Sequence, residues 1–158
     1  MKTVDPNKLE ALKRESVAQL LFKCARLVNE QAIARINQGT DAGGAGLSPP
    51  LRAAHTALFP HLSSEGVRGA DLAKKLGVTK QAVSQLVTEL EEWGVVEQVA
   101  DPADGRAKLV RFTPKGEQGL LHGLAVLRTL EQELSAKIGK RRMQELHTAL
   151  LALEKALV

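Results

Sequence analysis

The 158-residue chain has no tyrosine, one tryptophan and three phenylalanines, so aromatic residues make up only 3% of it. Proteins that grip single-stranded nucleic acid stack bases on aromatic faces. This chain has almost none to offer, and its core must be aliphatic. A single cysteine, Cys24, excludes an internal disulfide framework and points to a reducing compartment. No run approaches the ~18 consecutive apolar residues of a spanning helix. The first residues, Met1-Lys2-Thr3-Val4-Asp5-Pro6-Asn7-Lys8, lack the apolar stretch of a secretion signal. A soluble cytoplasmic protein is expected. His55, His61, His122 and His147 are scattered, without the i, i+4 pairing or the close Cys/His spacing of a zinc site, so neither metal nor cofactor is expected. No Ser/His/Asp order has a nucleophile-elbow context and no carboxylate pair stands out, so no enzyme activity is expected either.

What is present is an ordinary globular composition, 44% hydrophobic and 25% charged, enough for one domain with helical extensions. The formal net charge of +4 suits a polyanionic partner. Residues 67–116, however, hold eight Lys/Arg against seven Asp/Glu. Placement of charge, not its total, must therefore carry any argument for nucleic acid.

Along the chain, Asp5 as N-cap and Pro6 at the first helical position open a helix expected to reach about residue 38. Its apolar stripe is Leu9, Leu12, Val17, Leu20, Leu21, Cys24, Leu27 and Val28. A glycine-rich linker occupies 39–47. It lacks the Gly-Lys-Ser/Thr ending and the preceding strand of a phosphate loop. Ser48-Pro49-Pro50 should open a second helix to about His61, with Leu51, Ala54, His55, Leu58 and Leu62 along one side. Ala70 to Leu76 reads as a short helix closed by Gly77. Thr79 caps the next helix, which runs to about Trp93 and ends at Gly94. Two helices joined by a glycine-containing turn form a helix-turn-helix pattern.

The second helix of that pair divides by face. Val83, Leu86, Val87 and Leu90 share one side; Gln81, Ser84, Gln85 and Thr88 share the other, with Lys80 at its flank. Amides and hydroxyls of this kind can read base edges, although such a face taken alone is more often an ordinary solvated one. The strand-turn-strand unit directly after the helix decides for the bases. Val95 to Val99 and Lys108 to Phe112 read as paired strands, and Asp104-Gly105 reads as their turn, the glycine supplying positive φ. Arg106 is then held out at the tip, and Thr113-Pro114 starts another helix. Glu89, Glu91 and Glu92 must lie outside the groove or at its lip, since phosphates repel them. After the hairpin, a helix to about Ile138 carries Leu120, Leu124, Leu127, Leu130 and Leu134. Gly139 interrupts it, and Met143, Leu146, Leu150, Leu153 and Leu157 continue at coiled-coil-like spacing, the surface widened by Leu121, Ala149 and Leu151. One small core cannot cover both terminal stripes. An interface between two chains is expected, with intrachain packing of the first helix on the last two as the alternative.

The stretch Asp101-Pro102-Ala103-Asp104-Gly105-Arg106, ending in Phe112-Thr113-Pro114-Lys115-Gly116, resembles the wing of the MarR (multiple antibiotic resistance regulator) family of winged helix-turn-helix transcription factors, with Phe112 in place of the usual leucine. The resemblance is specific over about Ser48 to Gly116 and topological beyond. It implies a mainly α fold with a small β wing: an N-terminal dimerisation helix (5–38), the linker, a winged helix-turn-helix domain (48–116) and C-terminal dimerisation helices (117–158). It further implies a homodimer on a near-palindromic duplex, acting as a repressor. Thr79, Lys80, Gln81, Ser84, Gln85 and Thr88 would enter the major groove. Arg106, oriented by Asp104, would enter the minor groove, and Arg68, Lys108 and Arg111 would contact phosphates. Leu12, Val17, Leu20, Leu146, Leu150, Leu153 and Leu157 would line the dimer interface. Family members often release DNA on binding a small aromatic or anionic ligand, whose place here would be beside Leu51, His55 and Leu58; the equal alternative is that His55 is a satisfied interhelical residue and that there is no ligand. Two alternatives stand beside this reading. One is a redox regulator acting through Cys24, set against an inert core cysteine; the other is a winged-helix protein-interaction module that binds no DNA.

Overall fold

The computed structural model describes residues 5–40 and 50–157. Helix α1 spans Pro6–Glu15, with the Asp5 carboxylate accepting the Asn7 N–H at 2.9 Å. Helix α2 spans Val17–Thr40. The single helix expected over 6–38 is thus two. Ser16 leaves helical geometry at φ −80° and ψ 114°, and its hydroxyl oxygen accepts the Gln19 N–H at 3.3 Å. Ser16-Val17-Ala18-Gln19 has the Ser-x-x-Gln spacing of a capping box; the apolar stripe running across it hides the break. Because α2 continues to Thr40, it takes in the start of the expected linker, whose remainder lies outside the described residues together with Ser48 and Pro49.

The expected helix to His61 is also interrupted. Only α3, Ala53–Thr56, and a 3-10 turn at Phe59–His61 form, because Pro60 offers no N–H to continue an α-helix. Ahead of α3, the Asn37 side chain brackets Leu51. Its Oδ1 accepts the Leu51 N–H at 3.0 Å and its Nδ2 donates to the Leu51 carbonyl at 3.1 Å, tying this segment to the end of α2.

The remaining elements come in compact order: β1 (Val67–Arg68), α4 (Gly69–Leu76), α5 (Lys80–Glu92), β2 (Val96–Asp101), β3 (Asp104–Phe112), α6 (Pro114–Ile138) and α7 (Lys140–Leu157). The sheet is antiparallel with order β1-β3-β2. Strand β1 leaves no mark in the sequence; two residues carry no periodicity, and Val67 and Arg68 are strand only because Val110 and Leu109 lie opposite them. Gly77 closes α4 in the left-handed region at φ +66°, a conformation that costs glycine little. Gly139 separates α6 from α7.

One core cluster joins the segment before α3, α4, α5 and the sheet: Leu51, Leu58, Leu72, Ala73, Val83, Val87, Leu90, Trp93, Val95, Val96 and Val110. Each fully buried leucine or valine side chain among them contributes about 1.5–3 kcal/mol. The long helices are different. Among the described residues, every exposed large hydrophobic except Val78 lies on α1, α2, α6 or α7.

Candidate nucleic-acid interface

Helix α5 starts where its sequence says it should. The Thr79 hydroxyl accepts the Ala82 N–H at 3.1 Å, satisfying one of the helix's free donors. Val83, Val87 and Leu90 enter the core, which turns Lys80, Gln81, Ser84, Gln85 and Thr88 outward, all exposed. Thr88 donates its hydroxyl proton back to the Ser84 carbonyl at 3.0 Å, leaving only acceptor capacity to the outside. Gln85 donates from Nε2 to Glu89 at 3.4 Å.

The junction beyond α5 explains the Phe-Thr-Pro-Lys-Gly motif atom by atom. Thr113 donates its N–H to the Val95 carbonyl at 3.0 Å and its hydroxyl proton to the Gly94 carbonyl at 2.6 Å. The same hydroxyl oxygen accepts the Gly116 N–H at 3.0 Å, capping α6. Lys115 reaches the Trp93 carbonyl at 2.7 Å, where a cation suits the C-terminal end of α5. Gly116 is obligatory, since a Cβ there would sit 1.9 Å from the Val95 carbonyl oxygen. The motif is a clamp between the end of α5 and the start of α6.

The wing differs from the expected hairpin. Its turn is Pro102-Ala103, with Asp101 opposite Asp104; Gly105 is not among the glycines with positive φ. Pro102 pre-sets the turn and Asp101 completes it, accepting the Ala103 N–H at 2.8 Å, an Asx-type turn that outcompetes Asp-Gly. Register jumps at this point: Ala100 faces Lys108 while Asp101 faces Asp104. Gly105, Arg106 and Ala107 form a bulge between these pairs, with Arg106 exposed on it. Asp104 does support Arg106, but through the backbone, accepting its N–H at 3.2 Å.

The three expected phosphate contacts separate. Lys108 is exposed and, with Gly69, Ala70, Lys80, Ser84 and Gln98, lines a concavity of about 220 Å³ between α5 and the wing. Arg111 instead pairs with Glu97 directly across the sheet at 2.8 Å. Arg68 is committed too. Its Nε donates to the Asp101 carboxylate at 2.6 Å, and Asp101 is 7% exposed. The Ala103 N–H and the Arg68 guanidinium hold the Asp101 carboxyl below the usual carboxylate range, and Asp101 in turn raises the Arg68 guanidinium. Lys74 and Lys75, which no sequence motif singles out, line an open groove of about 620 Å³ beside Arg68 and Asp71.

The residues expected to face a ligand are also placed differently. Leu51, His55 and Leu58 are all in the core. His55 Nδ1 accepts the Arg52 N–H at 3.1 Å, which puts the ring proton on Nε2, 2.8 Å from the Glu89 carboxylate. Its ring meets Trp93 edge-on at 4.6 Å between centroids. Arg52 shares the same carboxylate, and the hydrogen bonds from His55 and Arg52 hold Glu89 below the ordinary glutamate range. Both ring nitrogens serve the fold, and neither is turned out to meet an anion. Glu89 thereby anchors α5 on α3. Glu91 is similarly used by β2, accepting from Gln98 Nε2 at 2.9 Å. Cys24, expected within an aliphatic core, is exposed in the single chain.

Residues 46–107, which hold the helix-turn-helix and the wing tip, match the family model described as MarR family. No curated protein sequence matches the chain. Among solved structures, MepR, a transcription regulator of the Staphylococcus aureus multidrug efflux pump MepA, is 17% identical with a TM-score of 0.63, the alignment covering 90% of this chain and 99% of that one. The transcriptional repressor CouR, bound to a 23-mer DNA duplex, is 18% identical with a TM-score of 0.63, covering 97% and 99%. CouR from Rhodococcus jostii RHA1, bound to p-coumaroyl-CoA, is 22% identical with a TM-score of 0.60, covering 89% and 93%. These likenesses establish the fold. Over residues 46–107, this chain is similar to the MarR family of winged helix-turn-helix proteins.

Proposed function

We propose that this transcription regulator binds double-stranded DNA as a homodimer in the cytoplasm and represses transcription from a near-palindromic operator. The observation that carries the reading is one concave surface onto which Lys80 and Ser84 of the recognition helix and Lys108 of the wing converge, with Arg106 on its bulge beyond. Gln81, Ser84 and Gln85 read base edges in the major groove. Arg106 enters the minor groove, where narrow A·T-rich segments attract arginine. Lys80 and Lys108 take phosphates, and the Thr79 hydroxyl proton joins them. The CouR duplex complex is a repressor of this fold on DNA.

Two chains are needed because the apolar faces of the long helices stay uncovered within one chain. Leu12, Val17, Leu20, Leu146, Leu150, Leu153 and Leu157 are all exposed, and Leu121, Leu124 and Leu151 extend the surface. A two-fold pairing through these helices would set two recognition helices about 34–36 Å apart, one turn of duplex. Cys24 stands between Leu20 and Leu27 on α2, so the same pairing would cover it. One protein of this fold holds p-coumaroyl-CoA; a small aromatic or anionic effector of this chain would have to enter elsewhere than at Leu51, His55 and Leu58.

Selection of preferred duplexes from a random library tests the proposal. A two-fold symmetric site, bound with affinity that falls steeply as salt rises, is expected. Failure to enrich any duplex, or binding indifferent to salt, would leave a protein-interaction module as the better reading.

A further inference from the structure

Arg68 sits at a junction of three elements. It ends β1, precedes the first turn of α4, and reaches 33 residues along the chain to Asp101 at the base of the wing turn. A residue at that position of a helix usually caps it with its side chain; Arg68 makes no such bond, its guanidinium having gone to the wing. The surroundings are acidic as well: Asp71 and Asp104 add to the field of Asp101 at the guanidinium. A cation so neutralised is a poor phosphate ligand. Asp101 is the residue that closes the loop, holding the Ala103 N–H with one oxygen and Arg68 with the other, and the bulge bearing Arg106 springs from the strand immediately after that closure.

We propose that Arg68 is a positioning residue for the wing: locked on the Asp101 carboxylate, it fixes the loop that presents Arg106 and ties the wing tip to the N-terminal end of the helix-turn-helix. The inference rests on the DNA-binding reading above. Arg68 acts on DNA through Arg106 and gives no phosphate contact of its own.

The experiment compares wild type with Arg68→Ala, Arg68→Lys, Asp101→Asn and Arg106→Ala, and with the Arg68→Ala/Arg106→Ala double variant, on the selected duplex over a series of salt concentrations. Thermal unfolding of each protein is followed in parallel, and only variants with a cooperative transition are compared. Arg68→Ala should weaken binding by about tenfold, within the range of one groove contact, and leave the salt slope unchanged. Arg68→Lys keeps the charge but loses the forked geometry, and should weaken binding nearly as much. Asp101→Asn removes a negative charge beside DNA, which electrostatics alone would reward, yet it should weaken binding too. In the Arg106→Ala background, Arg68→Ala should cost nothing further. The proposal is overturned if Arg68→Lys binds like wild type while Arg68→Ala lowers the salt slope by about one, or if Asp101→Asn binds as tightly as wild type or tighter. Equal additive losses from Arg68→Ala with and without Arg106 would overturn it as well. If wild type itself binds no duplex, the functional reading fails; a wild type that binds with Arg68 variants unaffected sinks this inference alone.

Discussion

The two halves of this chain solve the problem of burial in opposite ways. The lobe from Leu51 to Gly116 closes on itself: its leucines and valines share one core, and its charged residues Arg52, Arg68, Glu89, Asp101 and Arg111 find partners within it. The helical base pairs some of its charges, as Arg35 with Glu133, but leaves most of its large apolar side chains uncovered. Helices α1 and α7 contain no buried residue at all, and their leucines stand in solvent. A lobe that satisfies itself can move as a body, whereas the uncovered apolar face of the base is the surface that the proposed pairing of two chains would bury. The proposed dimeric regulator would use both properties, a rigid lobe to meet DNA and an apolar face for pairing.

The sharpest way to break this contrast is to charge the base. Leu146→Asp with Leu150→Asp places two carboxylates in the proposed seam, where burying an unpaired charge is prohibitive. Sedimentation should then show monomers at micromolar concentration, and operator binding should be lost with the dimer. A monomeric wild type would refute the pairing outright. Next in size is Gly116→Ala in the lobe. With a Cβ 1.9 Å from the Val95 carbonyl oxygen, the clamp between α5 and α6 has to open. A loss of about 3 kcal/mol or more, the upper range for single substitutions, is expected in denaturant unfolding; a loss below ~1 kcal/mol would mean that the junction has slack.

The features legible in the sequence are those decided locally. Thr79, Gly77, Thr113-Pro114 and Gly139 announce helix ends by their own chemistry, and the division of α5 into apolar and polar faces comes from its period. The departures from expectation have physical causes. Asp104-Gly105 is a strong turn pair in isolation, but Asp101-Pro102, a few residues earlier, supplies both a fixed φ and a capping carboxylate, and it wins. The break at Ser16 is written as a capping pattern but lies under a continuous apolar stripe. Arg68 to Asp101 and His55 to Glu89 join residues 33 and 34 apart, and only the fold brings them together. Of the two readings of His55, a donor to an anion or a satisfied interhelical residue, the contacts to Arg52 and Glu89 match the second, and its partner glutamate could not be named from the helix pattern alone.

Within the reader, substitution should separate affinity from preference. Arg106→Ala is expected to cost about 1–3 kcal/mol on the preferred duplex. Ser84→Ala and Gln85→Ala should instead relax the choice of base at single positions, seen by repeating the selection with each variant. An Arg106→Ala protein that binds as wild type at moderate salt would remove the wing from the interface. Glu117, in the first turn of α6 and beyond the wing, serves as the control; Glu117→Ala should change neither quantity.

The smallest expected effect lies at an ion pair that joins α2 to α6 within a single base. Arg35 holds Glu133 with two hydrogen bonds, at 2.9 and 2.7 Å, and keeps its carboxyl below the ordinary glutamate range. Both side chains are substantially exposed, and exposed pairs contribute little. Glu133→Gln should therefore lower the melting temperature only slightly, and the deficit should fade in high salt as screening shortens the reach of the charges. The pH dependence has a definite sign. A carboxylate whose pKa is lower folded than unfolded stabilises the fold fully above the unfolded value, about 4.3, and that contribution is lost as pH falls through the folded value. Wild type and Glu133→Gln should thus differ near neutrality and converge in acid, where both carry an uncharged side chain at residue 133. Glu89 and Asp101 are lowered in the same direction, so the lobe should lose stability over the same acid range. A deficit in Glu133→Gln that persisted below that range, or in high salt, would show that the glutamate holds α6 to α2 by its shape and not by its charge.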